Sequence, residues 1–239
     1  VVRGPASVLV VLGVAWTYFL VPDLLPALHP ADTAQIVSAS IAVVLIVAVT
    51  VTVATLSDAA VAVPLVLLGA ALVAGAMDAA GVGVAATVPE TVAYACIGIL
   101  FGVSLGAPSL VLAIPIFVGG IDAISLLGGT DHTLAAGAIQ SGDPLSLDLP
   151  EWHTGLAAGR FGLADVVFCG VYATYAWRLN LRFIASAIGM ATGLVLAVVL
   201  QVVLDTPIPA LAFLGVGFLL PNIDRTWALF RASVEGADS

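Results

Sequence analysis

The sequence predicts an all-α protein, a polytopic transmembrane helix bundle of about eight spans. Three observations lead there. Of 239 residues, 62% are hydrophobic and only 9% charged, with a mean hydropathy of +1.20. A soluble domain is about 45–50% apolar and about 25% charged, so a soluble globular chain, a disordered one, a nucleic-acid binder and a disulfide-stapled secreted scaffold are excluded. The apolar residues also come in long unbroken runs, and a spanning helix needs about 20 of them. Finally, the runs do not alternate apolar with polar residues as the strands of an outer-membrane barrel do.

Each run gives one element. The first, about Ala6 to Leu20, follows Arg3 and stops at Val21-Pro22-Asp23. It lacks a small-residue cleavage site and is read as a retained span rather than a signal peptide. The second covers about Ala34 to Leu56. The third covers about Ala60 to Met77, with Pro64 near its first turn, where proline is tolerated. The fourth runs from about Thr91 to Leu105; Gly106, Ala107 and Pro108 break it, and a fifth reaches Leu127. The polar stretch from Gly128 to about His153 is expected to be an open loop, long for a helix connection and without an apolar stripe. A sixth span starts between Gly155 and Phe161 and ends near Trp177, followed by a tight basic turn from Arg178 to Arg182. The seventh runs from about Phe183 to Leu204 and the eighth from about Pro209 to Leu220. Arg225, Trp227 and Arg231 suit an interfacial helix end. The expected organisation is one membrane domain over 1–232 and a short acidic tail over 233–239.

Charge placement predicts orientation and habitat. All six basic residues are Arg, and fifteen acids bring the formal net charge to -9. With eight spans, Arg3, Arg178, Arg182, Arg225 and Arg231 share one side, and Arg160 stands alone on the other. The positive-inside rule makes the carboxyl end cytoplasmic and the 128–154 loop external in a multi-pass cell-membrane protein. A Lys-free, acidic chain fits a halophile, whose surfaces stay soluble through carboxylates; GC-rich codon usage gives a similar composition without salt. Cys96 and Cys169 lie in apolar runs and read as small core residues. His29, His132 and His153 lie in loops without metal-ligand spacing, so neither metal nor cofactor is expected.

Two acids lie inside apolar runs, Asp122 in Gly-Gly-Ile-Asp-Ala-Ile and Asp165 in Gly-Leu-Ala-Asp-Val-Val. An ionised Asp near a helix centre costs about 2.5–3.5 kcal/mol on insertion scales, so such acids must be paired, protonated or hydrated, and they mark functional sites. Asp122 lies about 9 Å, and Asp165 about 7–8 Å, from the helix end facing the 128–154 loop, at ~1.5 Å per residue. Consecutive antiparallel helices would bring both carboxyls to one level. Gly119, Gly120 and Gly162 suit close helix approach. The last span opens at Asp205-Thr-Pro-Ile-Pro-Ala-Leu, where Pro207 and Pro209 remove two backbone donors at nearly the same depth. Ordinary span packing, and two unrelated acids reaching toward water, would leave the same residues.

An Asp-bearing helix, a polar loop, a Gly-x-Gly-Asp-like helix and a final helix opened by Pro-Ala-Leu resemble the presenilin and signal peptide peptidase family of intramembrane aspartyl proteases. The similarity runs from about Glu90 to Leu220 and suggests an archaeal presenilin-like homologue. Ile121 stands where the family usually has Tyr, and Gly162-Leu163-Ala164-Asp165 carries Ala for the second Gly, while Pro209-Ala210-Leu211 is complete. The resemblance implies nine spans, the first absent here. It implies Asp122 and Asp165 as catalytic residues, and Gly162, Leu163, Ala164, Pro209, Ala210 and Leu211 as substrate-binding ones. The expected activity is hydrolysis of peptide bonds within transmembrane segments or signal-peptide remnants by a water-activating Asp pair. No cofactor or metal is needed. The partners implied are transmembrane peptides or membrane-protein substrates in a lipid bilayer, with no nucleic acid and no stated oligomeric state.

Other readings of the carboxyl pair stay open. A proton- or cation-coupled transporter uses such pairs as relays, though it favours inverted repeats that this sequence lacks. Ala164 also suits a catalytically inactive homologue that binds membrane helices. A prepilin-peptidase-like enzyme shares the Gly-x-Gly-Asp motif, with its aspartates near the cytoplasmic face and without the Pro-Ala-Leu element.

Overall fold

A computed structural model describes residues 5–59, 61–127, 146–154 and 157–235. Its helices are α1 (Pro5–Leu20), α2 (Ala31–Ala54), α3 (Ala62–Ala79), α4 (Gly83–Ser104), α5 (Leu110–Leu127), α6 (Leu163–Arg178), α7 (Phe183–Leu204), α8 (Ala210–Leu219) and α9 (Ile223–Glu235), with short 3-10 turns at Pro22–Leu24, Thr55–Asp58 and Leu220–Asn222. Strands β1 (Ser146–Pro150) and β2 (Ala157–Gly162) form an antiparallel pair between α5 and α6. Among the described residues, four segments are long and apolar enough to cross a membrane: Ala31–Asp58, Ala62–Ala79, Gly83–Ser104 and Phe183–Leu204. Ser7–Leu20 and Leu110–Leu126 are apolar but shorter.

Burial sorts the helices into a centre and a rim. Helices α2, α4 and α6 carry long buried stretches, among them Val43, Ile46, Cys96, Ile99, Cys169 and Tyr172. α3 packs on α4, α7 on α2 and α8, and α1 on α2 and α4. Two contacts are made nearly backbone to backbone, the route small residues allow. A methyl added at Gly170 would stand 2.9 Å from the Ala95 carbonyl oxygen, where α6 crosses α4. One added at Gly189 would run into the Gly217 carbonyl oxygen, where α7 crosses α8. Both cysteines are buried and free.

Helix α5 is the outlier. Its substantial helix contacts are with α8 and α9, and among the described residues it shares no extended surface with α6. Its outer face leaves Ile116, Phe117, Ile121 and Ile124 exposed.

Side chains tie down both ends of the bundle. At one end the Trp152 indole donates to the Tyr18 hydroxyl at 3.0 Å, Tyr18 donates to the Ser38 carbonyl at 2.8 Å, and the His153 amide donates to Pro22 at 2.9 Å. These bonds seat the segment after β1 on the α1–α2 connection. At the other end the Trp177 indole donates to Asp58 Oδ2 at 2.8 Å, Arg182 pairs with Asp224, and Arg225 donates to the Asn180 carbonyl. Arg178, Arg182 and Arg225 therefore share the end opposite the β pair, which carries Arg160.

Three boundaries differ from the sequence reading. The fourth apolar helix begins at Gly83 rather than near Thr91, because the chain carries Pro89 inside α4 instead of stopping at it. The helix bearing Asp165 begins only at Leu163, because Ala157–Gly162 is taken up as β2. The 128–154 stretch is not one open loop. Its last part forms β1, which buries Leu147 and Leu149 against α2 and α4, while residues 128–145 lie outside the described residues. Arg3 and the tail beyond Glu235 also lie outside them, and α9 runs through the expected 232/233 boundary.

Candidate active site

Asp165 is the third residue of α6, and Gly162 is its N-cap. At that position a carboxylate reaches back to the N-cap amide, as the acidic half of a capping box does. The Gly162 N–H donates to the Asp165 carboxyl. Asp165 is therefore in the first turn and not the 7–8 Å deep that a helix starting near Arg160 would give. It is nonetheless buried, with 9% of its surface exposed. Gly162 leaves the room: a methyl there would stand 2.9 Å from Asp165 Oδ2. Leu163 is half-buried, and the Ala164 side chain is exposed.

Asp122 lies on α5, half-buried, and its Oδ2 accepts the Leu211 N–H at 2.9 Å. Leu211 is the second residue of α8, whose N-cap is Pro209. An amide there has no partner within its own helix, so Asp122 caps α8 from a neighbouring helix. Each carboxyl thus sits at a helix N-terminus, where the backbone dipoles favour negative charge. Among the described residues α5 and α6 share no extended surface, and α8 touches both.

The glycines divide their work differently from the sequence expectation. Gly119 brings α5 onto α8, where an added methyl would stand 3.0 Å from the Ala212 Cα, whereas Gly120 faces open space. The Pro209 carbonyl is not free for a partner. It accepts from the amides of Ala212 at 3.2 Å and Phe213 at 3.4 Å. Pro209, Ala210 and Leu211 are all half-buried.

Beside the pair, β2 runs directly into Gly162, in register Ser146↔Gly162, Leu147↔Phe161 and Asp148↔Arg160. Arg160 Nε lies 3.6 Å from Asp148 Oδ1, both about a quarter exposed. Burial pushes the Asp148 carboxyl up, Arg160 opposes the shift, and Asp78 adds to it. Asp148, Asp78 and Glu90 border one cavity of about 240 Å³. Glu90 is a helix-borne acid that the sequence reading left at a span boundary. The apolar spacing Val84, Val88, Val92 upstream and downstream of it is the signal that places it inside α4. Among the described residues, no group of three or more His, Cys, Asp or Glu side chains is arranged to hold a metal ion. Compared with family models, with curated proteins and with solved structures, the chain matches none.

Proposed function

We propose that the chain is an integral membrane protein that hydrolyses peptide bonds within transmembrane segments, with Asp122 and Asp165 as its catalytic pair. The observation that carries this reading is the Leu211 N–H···Asp122 bond. It joins two of the three motifs, which lie far apart in sequence, while the third holds Asp165 buried in the first turn of α6, a helix that α8 also touches. The order of the three motifs, which resembles that of the presenilin and signal peptide peptidase family, supports the same assignment. Membrane embedding is supported by the four long apolar helices and by large exposed side chains such as Leu65, Leu68 and Leu72 on α3.

In the reaction the two carboxyls share one proton, because like charges about 3 Å apart cannot both ionise. The ionised carboxyl draws a proton from water, and the protonated one donates to the scissile carbonyl as oxyanion charge develops. The two titrate as a pair, so the roles belong to the pair rather than to either residue. The substrate helix must unwind to expose a peptide bond. β2 supplies backbone beside the pair, since among the described residues only one of its edges is occupied, and an extended segment adds naturally to a free edge. The Pro209-Ala210-Leu211 segment acts mainly by holding the Asp122 carboxylate.

The deciding experiment is cleavage of a fluorogenic transmembrane peptide by the purified chain in liposomes, with Asp122→Ala and Asp165→Ala as controls. Cleavage by wild type and by neither variant is expected. Cleavage retained in either variant removes the pair. Absence of cleavage together with proton flux that needs both carboxyls would favour the transporter.

A further inference from the structure

The end of the bundle opposite the β pair holds a cavity of about 610 Å³ beneath the α6–α7 turn, bordered by Asp58, Trp177, Arg178, Asn180 and Arg182. Its charges are unevenly committed. The Asp58 Oδ2 receives the Trp177 indole at 2.8 Å, and the Arg182 guanidinium is paired with Asp224 through both of that carboxylate's oxygens at 2.7 and 2.8 Å. Arg178 has no hydrogen-bond or ion-pair partner among the described residues, and it borders this cavity and a second one of about 390 Å³. The Trp177 indole leaves the Asp58 charge in place, but the Arg225 guanidinium donates to the carbonyl of Asn180, another residue of the lining. Among the described residues, three guanidiniums therefore stand against two carboxylates, and Arg178 is the one without a partner. A guanidinium fits a phosphate with a planar fork of donors.

The polar cavity adjoins an apolar one. Ala185 borders both it and a groove of about 630 Å³ between α7 and α8, walled by Ile188, Thr192 and Leu196 on one side and Val216 and Leu220 on the other. From Ala185 to Leu196 the groove follows α7 for about 17 Å at ~1.5 Å per residue. One leaflet of a bilayer contributes about half of a ~30 Å hydrocarbon core. A basic recess thus adjoins a groove about as long as one leaflet is deep.

We infer that this composite is a binding site for one anionic glycerophospholipid, its phosphate on Arg178 and an acyl chain along the α7–α8 groove. Charge complementarity selects that occupant over a zwitterionic lipid, and the apolar continuation selects it over a soluble phosphate. The inference rests on the membrane part of the proposed function and is independent of the protease chemistry.

The test is native mass spectrometry of the full chain in detergent, titrated with phosphatidylglycerol or phosphatidylcholine of matched chains. The wild type should retain phosphatidylglycerol preferentially. Arg178→Gln should lose about fivefold of that preference, the effect of one Arg at an anionic surface, while Arg178→Lys should keep it. Ile188→Trp, which fills the groove without changing charge, should weaken retention of phosphatidylglycerol. Equal retention of the two lipids by the wild type overturns the site, as does an unchanged preference in Arg178→Gln. Displacement of the lipid by an equal concentration of glycerol phosphate assigns the recess to a soluble anion and overturns the lipid. Retention of neither lipid overturns the site.

Discussion

Asp122 has two separable jobs, and one pair of substitutions distinguishes them. Its carboxylate caps α8 by accepting the Leu211 N–H at 2.9 Å, and in the proposed reaction it shares a proton with Asp165. Asp122→Ala removes both functions. The Leu211 amide then loses its acceptor at a part-buried position, and an orphaned donor costs about 1–3 kcal/mol, with the lower half applying where water has partial access. A chain of this size shifts its melting point by about 2–4 °C per kcal/mol, so a drop of about 2–8 °C is expected. Asp122→Asn keeps a carbonyl oxygen at the same place and should melt within about 2 °C of wild type, at the low end of that scale. The assay is intrinsic tryptophan fluorescence during a thermal ramp in detergent, paired with cleavage of a transmembrane peptide. Both variants should be inactive, and only Ala should be destabilised. Equal destabilisation in the two would show that the charge, not the hydrogen bond, stabilises α8. A wild-type melt for Asp122→Ala would show that the bond holds nothing, and cleavage by Asp122→Asn would refute the pair.

Other expectations follow from the same geometry. Gly162→Ala places a methyl 2.9 Å from Asp165 Oδ2, so it should abolish peptide cleavage while the circular dichroism of the helices is kept; undiminished cleavage would show that Asp165 tolerates displacement. Asp122→Ala, Asp165→Ala and the double variant should lose cleavage to similar extents, because groups that act as a unit are non-additive; multiplicative losses would mean independent roles. Gly189→Ala drives a methyl into the Gly217 carbonyl, and overpacking of this kind costs about 1–3 kcal/mol, readable as a lower melting point with α7 and α8 exchanging amide hydrogens sooner. Arg182 holds the Asp224 carboxyl below the usual carboxylate range. A depressed carboxyl stabilises above its ordinary pKa and loses that contribution as pH falls through the folded value. Limited proteolysis of α9 should therefore accelerate only under acid conditions, and Asp224→Asn should remove that pH dependence.

The aspartates were legible because their cost is local: an acid inside an apolar run needs a reason wherever the run folds. The order of the three motifs was legible for the same reason, as each is written in contiguous residues. What joins them was not. The bond from Leu211 to Asp122 spans 89 positions, and no periodicity records which helix α5 leans on. The start of α6 was misplaced because Ala157–Gly162 is apolar enough to extend a helix, and only its partner strand, with Leu147 opposite Phe161, makes it β2. Glu90 escaped for the opposite reason. Pro89 reads as a boundary, yet in α4 the flanking valines continue the helical period through it.

The attachment of α5 carries a consequence for how such a site can vary. Because α5 meets the bundle through α8 and α9 rather than through α6, the separation of Asp122 from Asp165 is inherited from α8. That helix works as a gauge block: its contacts at Ala212 against Gly119 and at Gly215 against the Pro115 carbonyl, where an added methyl would stand 3.1 Å away, set how far Asp122 stands from the rest. Bulk added along that seam retunes the gap between the two carboxyls without changing either of them. Substitutions at Gly119, Ala212 and Gly215 would then be dials for activity, invisible to any search confined to residues that touch substrate.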